Sequence, residues 1–131
     1  MSLFGRRVPV PAIAAAALLM LLAAMLPALS STPAREITLV ARGMAFYLAD
    51  DPATPNPEIV VRAGERIRVV LRNDARGMAH DFAVPAASAV LRPIQWSESD
   101  DVVFDAPDAP GAYAYECRPH RLMMRGTLRV R

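Results

Sequence analysis

The chain has no lysine, one cysteine, two histidines and one tryptophan, and aromatic residues occupy 6% of its 131 positions. A lone cysteine, Cys117, excludes an intrachain disulfide. Two histidines, His80 and His120, exclude any site that needs three or more imidazoles. All positive charge is arginine. Two of the 15 arginines, Arg6 and Arg7, precede an apolar run, so the remainder carries 13 arginines against 13 acidic residues. With that balance and no concentrated basic face, nucleic acid is not an expected partner. After Arg35 no pattern of period 3.6 reaches helix length, which argues against βαβ units.

What the chain does have in quantity lies first at its N-terminus. The mean hydropathy of +0.22 and the 53% hydrophobic content are inflated by the run 12–29. Residues 1–31 have the order of an export signal: a basic start at Arg6 and Arg7, the apolar stretch, then Pro27 and the small-residue site Ala28-Leu29-Ser30. The apolar run is also about 27 Å long as a helix, close to a bilayer's hydrocarbon thickness, so a retained anchor is the alternative to cleavage. Residues 1–31 therefore read as a signal peptide or membrane anchor, and 32–131 as one domain outside the cytoplasm, in the periplasm or on the outer face of the membrane. In that oxidising setting an odd cysteine must be intermolecular, free and reactive, or engaged with a metal.

The remaining hundred residues read as all-β. Short apolar runs of period two are expected at 36–41, 44–48, 58–62, 66–73, 81–84, 101–105, 112–117 and 126–131, divided by Pro, Gly, Asn and Asp. The run 66–72 is the clearest, with Ile67, Val69 and Leu71 on one face and Arg66, Arg68 and Arg72 on the other. Strands recurring at this spacing favour a sandwich or barrel, of the size of one monomeric domain. The stretch 85–99 admits a short helical turn, a loop or an edge strand near Ile94 and Trp96.

Chemistry concentrates in the segment from Tyr115 to Gly126, where Cys117, His120 and Met123 form a Cys-x2-His-x2-Met pattern between two strands. Thiolate, imidazole and thioether are a soft donor set suited to copper, and less so to zinc. One more imidazole is needed, and His80 is the only one left. Singly, each residue reads as core filler or a surface histidine. Jointly, the only cysteine and both histidines fall into one ligand pattern.

The segment YECRPHRLMMRGTLRV resembles the copper loop of the cupredoxins, most closely of the short-loop amicyanin and pseudoazurin kind. Gly77-Met78-Ala79-His80-Asp81-Phe82 resembles the segment that supplies their first histidine. The resemblance implies a Greek-key β-sandwich or barrel holding one type 1 copper ion through His80, Cys117, His120 and Met123, with the Ala79 carbonyl on the opposite side. Met124 is the competing axial ligand. Where family members often have Asn after the first histidine and Thr or Ser after the cysteine, this chain has Asp81 and Arg118, and an ion pair between them is expected to tie the two ligand loops.

The resemblance also implies a carrier of single electrons between redox partner proteins, and not an enzyme. The donor inventory agrees: one cysteine and two histidines are too few for a multicopper oxidase, a copper nitrite reductase or a two-cysteine binuclear centre. Arg118, Arg121 and Arg125, with Arg92 joining them, are expected to meet an acidic partner surface. The rivals are copper delivery or storage through the same site, and a metal-free structural sandwich.

Overall fold

In β4 (Arg66–Asn73) Ile67, Val69, Leu71 and Asn73 are buried while Arg66 and Arg72 face solvent. That period of two is what a strand with one face on a core requires, and it recurs through the domain. The computed structural model describes residues 10–29 and 33–131. The first stretch is helix α1 (Val10–Leu29), whose sequence carries no charge. Arg6, Arg7 and Ser30, on which the reading of the leader partly depends, lie outside the described residues. The chain divides into two compact units at Thr32 and Pro33, and every residue of the buried core belongs to the second.

That second unit is a sandwich of two sheets, with nine strands among the described residues. One sheet has the order β2 (Ala45–Leu48), β1 (Arg35–Arg42), β4 and β7 (Ser99–Asp105). The other runs β3 (Ile59–Val61), β9 (Arg125–Val130), β8 (Gly111–Glu116), β5 (His80–Val84) and β6 (Ala89–Ile94). Two pairings are parallel, β1 with β4 and β3 with β9, so the chain crosses repeatedly between the sheets. The eight expected strands are present with ends shifted by a residue or two.

The open stretch 85–99 resolves into a 3-10 turn at Pro85–Ala87, strand β6 and a turn around Trp96. Pro93 interrupts β6 and breaks its strand pattern in the sequence. Proline is tolerated there because β6 is an edge strand, where a missing N–H breaks no ladder. Between the sheets Phe46, Phe82 and Tyr115 form an aromatic triad with ring centroids 5.7–6.1 Å apart. The buried Tyr115 hydroxyl donates to the Pro57 carbonyl at 2.6 Å, tying β8 to the segment ahead of β3.

Candidate metal centre

The centre begins with the parity of one hairpin. β8 and β9 pair antiparallel, with Tyr115 opposite Gly126 and Glu116 opposite Arg125. Continuing that register one step sets Cys117 opposite Met124, and the Cys117 N–H donates to the Met124 carbonyl at 3.0 Å. Residues directly opposite one another project to the same side of a sheet. Tyr115 points inward, so Cys117, two residues on, does too, and Met124 follows from across the hairpin. Tyr115, Cys117 and Met124 are all fully buried.

This register corrects the expected axial ligand. Met123 is 60% exposed, one residue out of phase with the inward side, whereas Met124 has no exposed surface and packs in the core cluster with Cys117. The thioether available to the buried donors is that of Met124. The cue is the strand pairing across the loop, which the spacing Cys-x2-His-x2-Met does not carry and which points to the other methionine.

Pro119 lies in a 3-10 turn at Arg118–His120, where its fixed φ suits the first turn. The turn closes on itself: the His120 N–H donates to the Cys117 carbonyl at 3.0 Å and the Met124 N–H to the His120 carbonyl at 2.8 Å. His120 Nδ1 thereby comes within 3.5 Å of Cys117 Sγ. His80 arrives from the other loop as the first residue of β5, fully buried, with Nδ1 3.8 Å from the same sulfur. Arg92 and Pro93 form a bulge in β6 opposite Asp81, between the pairs His80–Ile94 and Phe82–Leu91. Such bulges re-aim side chains beside functional sites.

The three donor atoms of His80, Cys117 and His120 lie within 4.8 Å of one another. Thiolate and imidazole bound to one first-row ion at about 2.0–2.3 Å and about 120° apart would be separated by about 3.6–3.8 Å. The observed separations of 3.5 and 3.8 Å bracket that value, so both imidazoles stand at the distance from the sulfur that a single small ion requires. Burial pushes the Cys117 thiol above its ordinary range, and burial followed by the neighbouring His120 pulls His80 below its own. Both shifts favour the uncharged form of the group. His80 Nε2, buried, makes no hydrogen bond of good geometry, and the nearby Gly43 carbonyl only partly offsets the downward shift.

The expected tie between the ligand loops is present. Asp81, 1% exposed, accepts the Arg118 backbone N–H at 2.7 Å and Arg118 Nε at 2.6 Å. Its own N–H points at Cys117 Sγ from 3.5 Å, a weak donor contact of the kind that steadies a thiolate. Two asparagines missed by sequence reasoning brace the same loops. Asn73 is fully buried and donates to the Met78 and Ile94 carbonyls at 2.8 and 3.0 Å while accepting the Ala75 N–H at 2.8 Å, which holds the loop leading to His80. Its signal was an amide at an inward position of β4. Asn56, in left-handed backbone at φ 46°, accepts the Phe46 N–H and donates to the Met123 carbonyl, each at 3.0 Å. Nothing local in the sequence marks that bridge of 67 residues.

Around the centre, His120 is partly exposed and Arg121 and Arg125 are exposed with no acidic partner among the described residues. Arg92 differs from expectation: Asp100 at 2.9 Å and Glu98 at 3.8 Å answer its charge.

The comparisons with known proteins point the same way. Auracyanin B superposes with a TM-score of 0.61 at 23% identity, covering 78% of this chain and 92% of that one. Auracyanin A, a "blue" copper protein from Chloroflexus aurantiacus, gives 0.59 at 21% identity, covering 76% and 100%. A copper-containing nitrite reductase from Thermus scotoductus gives 0.56 at 24% identity, covering 75% of this chain but 28% of the enzyme. At such identities these likenesses establish the fold alone. No curated protein matches by sequence. The family described as copper binding proteins, plastocyanin/azurin family, matches residues 53–131, more than half of the chain and all of the copper loop. With His80, Cys117, His120 and Met124 arranged as a type 1 copper site, the chain belongs to the plastocyanin/azurin family of copper binding proteins.

Proposed function

We propose that this protein is an extracytoplasmic carrier of single electrons. The observation that carries this reading is the rigidity of a buried donor set. Cys117, His80 and Met124 have no exposed surface, and His120 alone among the four donors reaches the boundary with solvent. Bound copper supplies a one-electron couple; the chain supplies everything else. Backbone hydrogen bonds within the loop, the Asp81–Arg118 tie and the two asparagine braces hold the donors in one arrangement, so a change of oxidation state demands little movement. The copper nitrite reductase shares this fold over only part of its length, and this chain has no third histidine for a further centre.

His120 is the natural route for electrons, since it joins the buried sulfur to the surface. Arg121 lines the same cleft as His120, Arg125 is exposed at the start of β9, and Leu122 is 97% exposed. An apolar contact bordered by unpaired arginines suits a partner with an acidic rim. The leader-like residues 1–31 support export, with the domain either released or tethered.

Residues 33–131 hold a core of their own, so the unit can be produced alone and loaded with copper(II). The expected outcome is an intense blue absorption with a type 1 paramagnetic resonance spectrum, lost in Cys117→Ser, and rapid electron exchange with a redox protein. A colourless product, or a blue product that exchanges no electrons yet gives up copper(I) readily, would favour storage or delivery.

A further inference from the structure

A cleft of about 340 Å³ lies on the outer side of the copper loop, lined by Met44, Pro119, His120, Leu122 and Met123 among others. Two methionines on one surface cleft beside a histidine need a reason. Met123 is 60% exposed, and its backbone is pinned there by Asn56 and by its own N–H on the His120 carbonyl at 2.9 Å. Met44, half-buried, comes from the turn between β1 and β2 on the other side of the cleft.

We infer that Met44, Met123 and His120 form a loading site for copper(I), through which the ion reaches the buried centre. The inference rests on the copper-site reading above. His80 and Cys117 are 0% exposed, so an incoming ion cannot meet them first. His120 is the one donor shared by the cleft and the centre, with Nδ1 already 3.5 Å from Cys117 Sγ. Thioethers are neutral, soft ligands that favour copper(I) over copper(II) and over hard cations. Two thioethers and an imidazole can therefore hold copper(I) weakly at the surface and exchange it inward, where the thiolate binds more strongly. As Cys117 takes the ion, its thiol proton leaves to solvent. Arg121 also borders the cleft without an acidic partner among the described residues and sets a like charge beside the ion. That charge keeps the site transient, and it makes occupancy rise with salt. Arg118, at the same rim, is neutralised by Asp81.

The test uses residues 33–131 with labelled methionine methyl groups. In the Cys117→Ser variant, silver(I), a stand-in for copper(I) without redox chemistry, should shift the Met44 and Met123 signals together and leave Met78, which is not part of the cleft, in place. In the chain with Cys117 intact, Met44→Leu combined with Met123→Leu should slow loading by copper(I) about fivefold or more. After the loaded protein is oxidised by an added one-electron oxidant such as ferricyanide, the blue spectrum should be unchanged, because neither residue belongs to the buried set. Silver(I) shifts at Met124 alone, or a double variant that loads at the original rate, would overturn the loading site and leave the cleft as an apolar docking face. Absence of blue colour in the parent after loading and oxidation would instead overturn the copper-site reading.

Discussion

Replacing Asp81 by alanine tests the tie between the two ligand loops most directly. The carboxylate accepts two hydrogen bonds, from the Arg118 N–H at 2.7 Å and from Arg118 Nε at 2.6 Å, and is itself 1% exposed. A hydrogen bond to a charged group contributes about 1.5–3 kcal/mol, which applies to the backbone N–H. The guanidinium is 48% exposed, so its share falls to the surface range of about 0.2–1 kcal/mol. Asp81→Ala should therefore destabilise the metal-free unit by about 2–4 kcal/mol, or about 10–30 °C in Tm for a domain of this size. Asp81→Asn retains an acceptor for the N–H and should lose about half as much. Arg118→Ala removes only the exposed contact and should lose least. Urea denaturation of the three variants of residues 33–131 gives the order. An Asp81→Ala variant within about 1 kcal/mol of the parent, or an Arg118→Ala variant as unstable as Asp81→Ala, would refute the assignment of the tie to the buried carboxylate and backbone N–H.

Met124→Leu should alter the visible and paramagnetic resonance spectra of the copper-loaded protein, while Met123→Leu leaves both as they were; the reverse result would restore Met123 as the axial ligand. Asn73→Ala breaks three hydrogen bonds, two of them buried, and should lower stability by about 3–5 kcal/mol, read by thermal unfolding. A Cβ on Gly126 would overlap the Tyr115 ring, so Gly126→Ala should destabilise by about 3 kcal/mol, and a variant that unfolds like the parent contradicts the packing described. The pH dependence of the metal-free unit has a sign on each side. His80 is lowered in the folded state, so the unfolded chain binds more protons below about pH 6.5 and stability falls there. Cys117 is raised, so its contribution is complete below about pH 8.5 and is lost as pH climbs through the folded value. The alkaline loss should shrink in Cys117→Ser, and an identical alkaline limb in that variant would exclude the thiol as its source.

The arrangement accounts for how a chain with so few donors builds a rigid centre. Each ligand loop is anchored twice: the loop before His80 by Asn73 and by the bulge in β6, the loop after Cys117 by its internal turn and by Asn56. The outer face of the first sheet serves stability less. Arg66 with Asp105 and Arg68 with Asp101 and Glu36 are exposed ion pairs, each contributing little. The arginines expected to face solvent there do so.

Composition and periodicity alone determined the strand-rich character, the inward face of β4, and the identity of three donors, because a chain with one cysteine and two histidines offers no others. The resemblance to the cupredoxins, not composition, pointed to the Asp81–Arg118 pair, each member adjacent to a ligand. Only the tertiary structure decided between Met123 and Met124. That choice depends on which residues of β9 stand opposite Cys117, a pairing property that sequence spacing does not encode. The same holds for Asn56, whose partner lies 67 residues away, for Arg92, whose charge is met by acids brought in by the following turn and β7, and for β6, legible as a strand only once its edge position excuses Pro93. Donor chemistry is carried by residue type; which of two neighbouring donors faces the ion is set by the register of a sheet.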